Sequence, residues 1–204
     1  MKLIGMLDSP YVRRVAISAR LMGLPLEHES VSVFRHIDRF REINPLLKAP
    51  TLICDDGGIL MDSTLILDHL ESLAAPARRL TPASPAARQH TLYRVGVALV
   101  AMEKAVQWYY EIGLRPEDKR WDDWITRISG QLHNAFGLLE AALPADGSWF
   151  GMGVIDAADV ACAVAWRFAG FVLPGKLDSS HLPKITAHAA RAEADPAFIA
   201  FPLD

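Results

Sequence analysis

The sequence is short of cysteine, of surplus positive charge and of long apolar runs, and each shortage removes a class of function. Its two cysteines, Cys54 and Cys162, lie far apart and belong to no spaced motif. They read as small buried residues rather than as a disulfide or a metal pair. The histidines are scattered, with no His-Glu-x-x-His or Cys-x-x-Cys companion, so no metal is expected. Lys and Arg number 21 against 24 Asp and Glu, a net charge of -3, which leaves no basic face for nucleic acid. Arg13 with Arg14, and Arg78 with Arg79, form only pairs, read as solvated charges at helix ends and in loops. The apolar opening is broken by Gly5 and stopped by Asp8, too short for a signal-peptide core. No span approaches a membrane helix in length. A cytoplasmic protein without membrane or nucleic-acid partners is the expectation.

What is present divides into two rhythms. The first part alternates strand and helix signals: a buried strand over 2–6, a helix over 10–22 ending near Gly23, and strand-like alternation in the later half of 26–33. A short helix follows over 35–42, before Asn44 and Pro45. Then T-L-I-C and G-I-L-M flank D-D-G, a hairpin signal. From Ser63 the run T-L-I-L-D-H-L-E-S-L is helical. The order β-α-β-α-β-β-α implies a parallel pair from the first crossover and antiparallel strands from the hairpin.

Three prolines in residues 76–85 mark a linker, and beyond it the strand signals stop. Long helices are predicted over 86–112 and 117–143, the second with Pro116 at its start and apolar residues at three- and four-residue steps from Trp121 to Leu143. Residues 157–172 are apolar nearly all round, which suits a helix wrapped by others. Asp156 and Asp159 form an acidic capping box at its start. Asp195 and Pro196 open another helix. The predicted organisation is an α/β domain over 1–76, a linker over 77–85 and an all-α domain over 86–204.

The α/β order is the thioredoxin-like outline, and S-P-Y-V at 9–12 resembles the C-P-Y-C loop of glutaredoxins with both cysteines replaced. Hydroxyls do not exchange with disulfides, so a dithiol mechanism is excluded there. N-P-L-L-K-A-P-T-L (44–52), D-S-T-L-I-L-D-H-L (62–70) and G-M-G-V-I-D-A-A-D-V (151–160) follow in order. Together these motifs resemble the soluble glutathione transferases over essentially the whole chain, with the serine loop closest to bacterial serine-type members.

The resemblance implies a set of roles. Glutathione would be the co-substrate, its thiol activated by Ser9. A cis peptide before Pro50 would turn the backbone of Ala49 toward the cysteinyl residue. Asp62 and Ser63, at a helix start where free N–H groups favour an anion, would hold the γ-glutamyl group. Lys48 would reach the glycyl carboxylate, with His36 a lesser candidate. Asp62 stands where the family more often has Glu, and Asp156 where it more often has Ser or Thr. The electrophile would meet Tyr11 and the trio Trp108, Tyr109 and Tyr110, with Arg115, Phe168 and Phe171 as further candidates. The implied protein is a cytoplasmic, homodimeric detoxification transferase acting on small apolar electrophiles. A non-catalytic binding or regulatory protein on the same scaffold is the alternative, and isomerase or dehalogenase chemistry would use the same thiolate.

Overall fold

The computed structural model describes residues 1–151 and 153–203. Its first half holds β1 (Lys2–Ile4), α1 (Pro10–Met22), β2 (Glu27–Glu29), α2 (Ile37–Ile43), β3 (Thr51–Ile53), β4 (Ile59–Leu60) and α3 (Ser63–Leu73). The β-α-β-α-β-β-α order is the predicted thioredoxin-like one. The sheet runs β2-β1-β3-β4. β1 pairs parallel with β2 and antiparallel with β3, and β3 pairs antiparallel with β4. The strands are shorter than the predicted spans: β1 pairs only over the first three residues of 2–6, and β2 lies in the first half of 26–33 rather than the later half, because the register with β1 runs from Lys2 opposite Glu27 to Ile4 opposite Glu29. Ile4, Val31 and Phe40 form a buried cluster against which Ala49 and Ile53 pack.

α1 begins with Pro10, where a missing N–H costs nothing. It ends at Gly23, whose φ of 72° places it in the left-handed region that closes a helix. α3 opens on Asp62, whose carboxylate accepts from the amide of Thr64.

The second half is all helix: α4 (Pro85–Gly113), α5 (Asp122–Ala142), α6 (Ala157–Val172) and α7 (Pro183–Glu193), followed by the short α8 (Pro196–Ile199). α6 packs against α4 and α7, and residues 158–165 are buried without a break, as its all-round apolar pattern predicts. Its capping box is complete. Asp156 Oδ1 accepts from the amides of Ala158 at 2.7 Å and Asp159 at 3.0 Å, and Asp159 Oδ2 accepts from the amide of Asp156 at 2.9 Å. Met152, within the motif preceding this box, lies outside the described residues.

Three expectations change. α5 begins at Asp122 rather than near Pro116, because Glu117–Lys119 form a 3-10 turn. Buried Glu111 explains the delay: one carboxylate oxygen accepts from the amide of Trp121 and the other from Arg115. α7 was not anticipated, since its buried stripe of Ile185, His188, Ala189 and Ala192 is too small-sided to stand out. Arg13 and Arg14 are not solvated; they are 1% and 3% exposed.

The chain forms two compact units, Met1–Leu80 with the residues from Asp195 on, and Thr81–Ala194. The return of the last residues to the first unit has a visible cause. Arg13 Nε donates to the carbonyl of Phe201 at 2.8 Å, and its guanidinium lies 5.7 Å from the Phe198 ring centroid. α8 thereby packs on α1.

Candidate functional site

Three segments of the first unit carry the sequence-predicted residues. The first is the turn from β1 into α1. Gly5 donates to the carbonyl of Glu29 and accepts from His28 Nε2 at 2.7 Å, which ties the turn to β2. Its φ of 140° belongs to glycine, and an added Cβ would sit 2.6 Å from Val12 Cγ2 and 3.2 Å from Ala49 Cβ. Gly5→Ala is therefore expected to destabilise the fold by more than about 1 kcal/mol, read as a lowered denaturation midpoint, because strain and overlap act together.

Ser9 is the N-cap residue of α1, half-buried, and its backbone carbonyl accepts from the amide of Arg13 at 3.0 Å. Its side chain makes no capping hydrogen bond. The hydroxyl is thus not committed to the helix it precedes, and it stands where the N-terminal end of the helix dipole is positive.

The second segment joins α2 to β3. Asn44 organises it: Nδ2 donates to Thr51 Oγ1 at 2.8 Å and Oδ1 accepts from the amide of Leu46 at 3.0 Å. Thr51 Oγ1 in turn donates to the carbonyl of Lys48 at 2.7 Å. The Ala49–Pro50 bond is cis. Pro50 is buried, Ala49 half-buried and Lys48 exposed. Among the described residues neither the N–H nor the carbonyl of Ala49 has a partner.

The third segment is the start of α3. Asp62 and Thr64 are exposed and Ser63 is buried. Arg14, from the middle of α1, reaches this helix end: its Nη1 donates to Ser63 Oγ at 3.2 Å and to Thr64 Oγ1 at 3.4 Å. Burial pulls the guanidinium down to about 10, opposed by the charges of Asp62 and Tyr11. At neutral pH it remains a cation.

In the second unit Trp108 is buried and meets His133 edge-on, with ring centroids 6.2 Å apart. It belongs to the helical core. Tyr109 and Tyr110 are exposed, 6.0 Å apart. Arg115 is held by Glu111, Phe168 is buried and Phe171 is exposed. The protein's own thiols are poorly suited to nucleophilic work. Burial, with Asp56 and Asp55, pushes Cys54 up, and burial with Asp159 and Glu140 pushes Cys162 well up.

Residues 3–78 match the family described as glutathione S-transferase, N-terminal domain. These residues therefore carry the N-terminal domain of the glutathione S-transferases. Over 189 residues, 91% of each chain, it is 27% identical to YibF of Escherichia coli K12, described as an uncharacterized GST-like protein. A glutathione transferase family member from Pseudomonas fluorescens Pf-5, solved with bound glutathione, is 26% identical with a TM-score of 0.86, covering 100% of this chain and 98% of that one. A glutathione S-transferase from Methylobacterium radiotolerans, solved with glutathione sulfonate, shares the fold at a TM-score of 0.90 and 24% identity, covering 98% and 93%.

Four residues of the site were missed from sequence: Arg14, Asn44, Thr51 and Thr64. Asn44 before Pro45 carried a weak signal, as a turn-forming residue at a helix end. Arg14 carried none, because its partners lie 49 and 50 residues away.

Proposed function

We propose that the protein is a serine-type glutathione transferase, which binds glutathione and activates its thiol for attack on small apolar electrophiles. The observation that carries the reading is Ser9, a hydroxyl at the start of α1 that no capping bond consumes. The peptide would lie along the exposed edge of the α2–β3 segment. Ala49 offers its unpaired N–H and carbonyl to the cysteinyl residue, beside Pro50, and Lys48 offers its ammonium to the glycyl carboxylate. At α3, Asp62 takes the γ-glutamyl ammonium while Ser63 and the open helix end take the carboxylate. Tyr109 and Tyr110, exposed on α4, and Tyr11, on α1, are proposed as electrophile contacts; Trp108 is buried in the helical unit. Glutathione bound to the Pseudomonas relative supports the co-substrate. A homodimeric, cytoplasmic protein with a detoxifying role is part of the same proposal, as is the absence of a metal from the reaction.

The test is retention on immobilised glutathione followed by turnover of a panel of chromogenic electrophiles. Retention with turnover of at least one electrophile is the expected result. Retention without any turnover would replace the enzyme by a glutathione-binding protein of the same fold.

The γ-glutamyl assignment has its own check. A hydrogen bond to a charged group is worth about 1.5–3 kcal/mol. Ser63→Ala should therefore weaken glutathione binding by roughly ten- to a hundredfold in calorimetry. Unchanged affinity in a folded variant would remove Ser63 from the pocket.

A further inference from the structure

The helical unit carries a cavity of its own, about 200 Å³ in volume, along the last part of α6 and the turn that follows it. Trp166, Arg167 and Gly170 line it from the helix, and Leu173, Gly175, Leu177 and Ser179 from the turn. The turn is well defined. α6 stops at its C-cap residue Leu173, which is buried, and the Lys176 amide donates to the Leu173 carbonyl at 3.1 Å. Gly175 between them takes a φ of 71°, in the left-handed region. Asp178 then caps a 3-10 turn over Ser179–His181, its Oδ1 accepting from the amide of Ser180 at 3.0 Å and from its hydroxyl at 2.6 Å.

The lining combines an apolar wall with one cation. Trp166 is half-buried and fixed edge-on against the buried ring of Phe136, with centroids 5.0 Å apart and an interplanar angle of 89°. Leu173 and Leu177 add aliphatic surface. Arg167 is exposed, and among the described residues it makes no hydrogen bond or ion pair with the protein. Asp178, adjacent to the lining, is already committed to Ser180, and its Oδ2 lies 3.5 Å from His181 Nε2. A guanidinium only donates, in a fork that matches a carboxylate. The Cα–Cβ bonds of a helix tilt toward its N-terminus, which carries the Arg167 side chain away from the negative end of α6.

Gly170 sets the room. Glycine weakens a helix relative to alanine, and no close backbone approach requires one here, since an added Cβ would meet nothing within 4 Å. The absent side chain leaves the cavity open on that side. Its volume is below the roughly 300–1,000 Å³ that hold drug-sized ligands, so it suits one ring with a short acidic arm rather than a tripeptide.

We propose that this cavity is a binding site for a small aromatic carboxylate, separate from the glutathione site and not dependent on that reading. The ring lies against Trp166, Leu173 and Leu177, where aromatic packing and apolar burial hold it. The carboxylate pairs with Arg167, and the Ser179 hydroxyl donates to it.

The test is calorimetry on the full chain with phenylacetate, and with phenylacetamide as the uncharged probe of the same shape. The wild-type protein should bind phenylacetate roughly tenfold or more tightly than the amide. Arg167→Met, at an exposed position that leaves the core untouched, should remove that preference and leave amide binding unchanged. Gly170→Met places a side chain in the cavity without a clash at Cβ; it should keep the denaturation midpoint and lose both probes. S-methylglutathione, added in excess, should leave phenylacetate binding unaltered.

No phenylacetate binding at millimolar concentration would overturn the site. So would equal affinity for acid and amide, or binding that survives both substitutions. Displacement of phenylacetate by S-methylglutathione would place the acid in the glutathione site and overturn the proposal as well. None of these results bears on whether glutathione itself binds, which retention on immobilised glutathione decides separately.

Discussion

Ser9→Ala is expected to slow glutathione transfer by roughly ten- to a hundredfold near neutral pH, to shift the pH profile of kcat/KM upward, and to leave thermal stability nearly unchanged. The thiolate is the nucleophile, and a free thiol with a pKa of about 8.5 is only a few per cent ionised at neutrality. A hydroxyl aimed at sulfur stabilises the thiolate over the thiol. At about 1.5–3 kcal/mol, that bond lowers the thiol pKa by roughly one to two units. The open N-terminus of α1 adds to it. Losing the bond therefore costs most at low pH, and the variant should approach the wild type above the pKa of free glutathione. Stability should hold because the Ser9 side chain contributes no cap to α1. Ser9→Cys should instead exchange with glutathione disulfide, its thiolate forming a mixed disulfide as one reduced glutathione leaves. Stopped-flow or steady-state rates from about pH 5.5 to about pH 9.5, a range that extends to both sides of the free-thiol pKa, decide the matter: an alanine variant with unchanged rate and unchanged profile would make the hydroxyl irrelevant to the chemistry.

The second large effect concerns stability in the helical unit. His188 Nε2 lies 3.5 Å from Asp159 Oδ1, and both side chains are buried. Burial pulls His188 down to about 4, with Arg191 adding to the effect and the carbonyl of Asp159 opposing it. Burial, with the charge of Asp156, pushes Asp159 up to about 7, against the amides of Asp156 and Phe150 that donate to it. His188 thus contributes stability that is present above its unfolded value of 6.5 and lost as pH falls from there through 4. Asp159 contributes stability that is present below its unfolded value of 3.8 and lost as pH rises through 7. Between these limits the unfolded chain carries one proton on the imidazole, and the folded pair also carries one, whichever partner holds it. The two slopes cancel.

Single variants should uncover them. Relative to wild type, His188→Gln should lose about 1.4 kcal/mol of stability for each unit of rising pH across this window, and Asp159→Asn should gain a similar amount per unit. Each variant also carries a constant penalty from the altered packing or the altered capping box, which the slope ignores. Denaturant titrations at several pH values provide the measurement. Variant curves running parallel to wild type would show that the pair is not linked to folding.

Much of this molecule was legible because its signals are local. Pro10 and Gly23 mark the two ends of α1, D-D-G marks the turn between β3 and β4, and Asp156 with Asp159 marks the start of α6. Each is a statement about residues a few positions apart, where backbone sterics and hydrogen-bond reach dictate the outcome. The nearly all-round apolar run of residues 157–172 likewise determined that the first part of α6, residues 158–165, would be buried without a break.

What the tertiary structure decided involves partners distant in sequence. Two adjacent arginines look alike on paper, yet Arg13 holds the returning C-terminal residues while Arg14 crosses to the start of α3. Glu111 sets where α5 begins by capturing an amide ten residues on. The assignment of Trp108 to core and of Tyr109 and Tyr110 to surface followed from the rotation of α4 in its packing, which a continuous aromatic trio does not specify. In every case the sequence determined the local conformation and the chemical repertoire. The fold determined which charge or hydroxyl lost its water, and desolvation is what turns an ordinary side chain into one with a role.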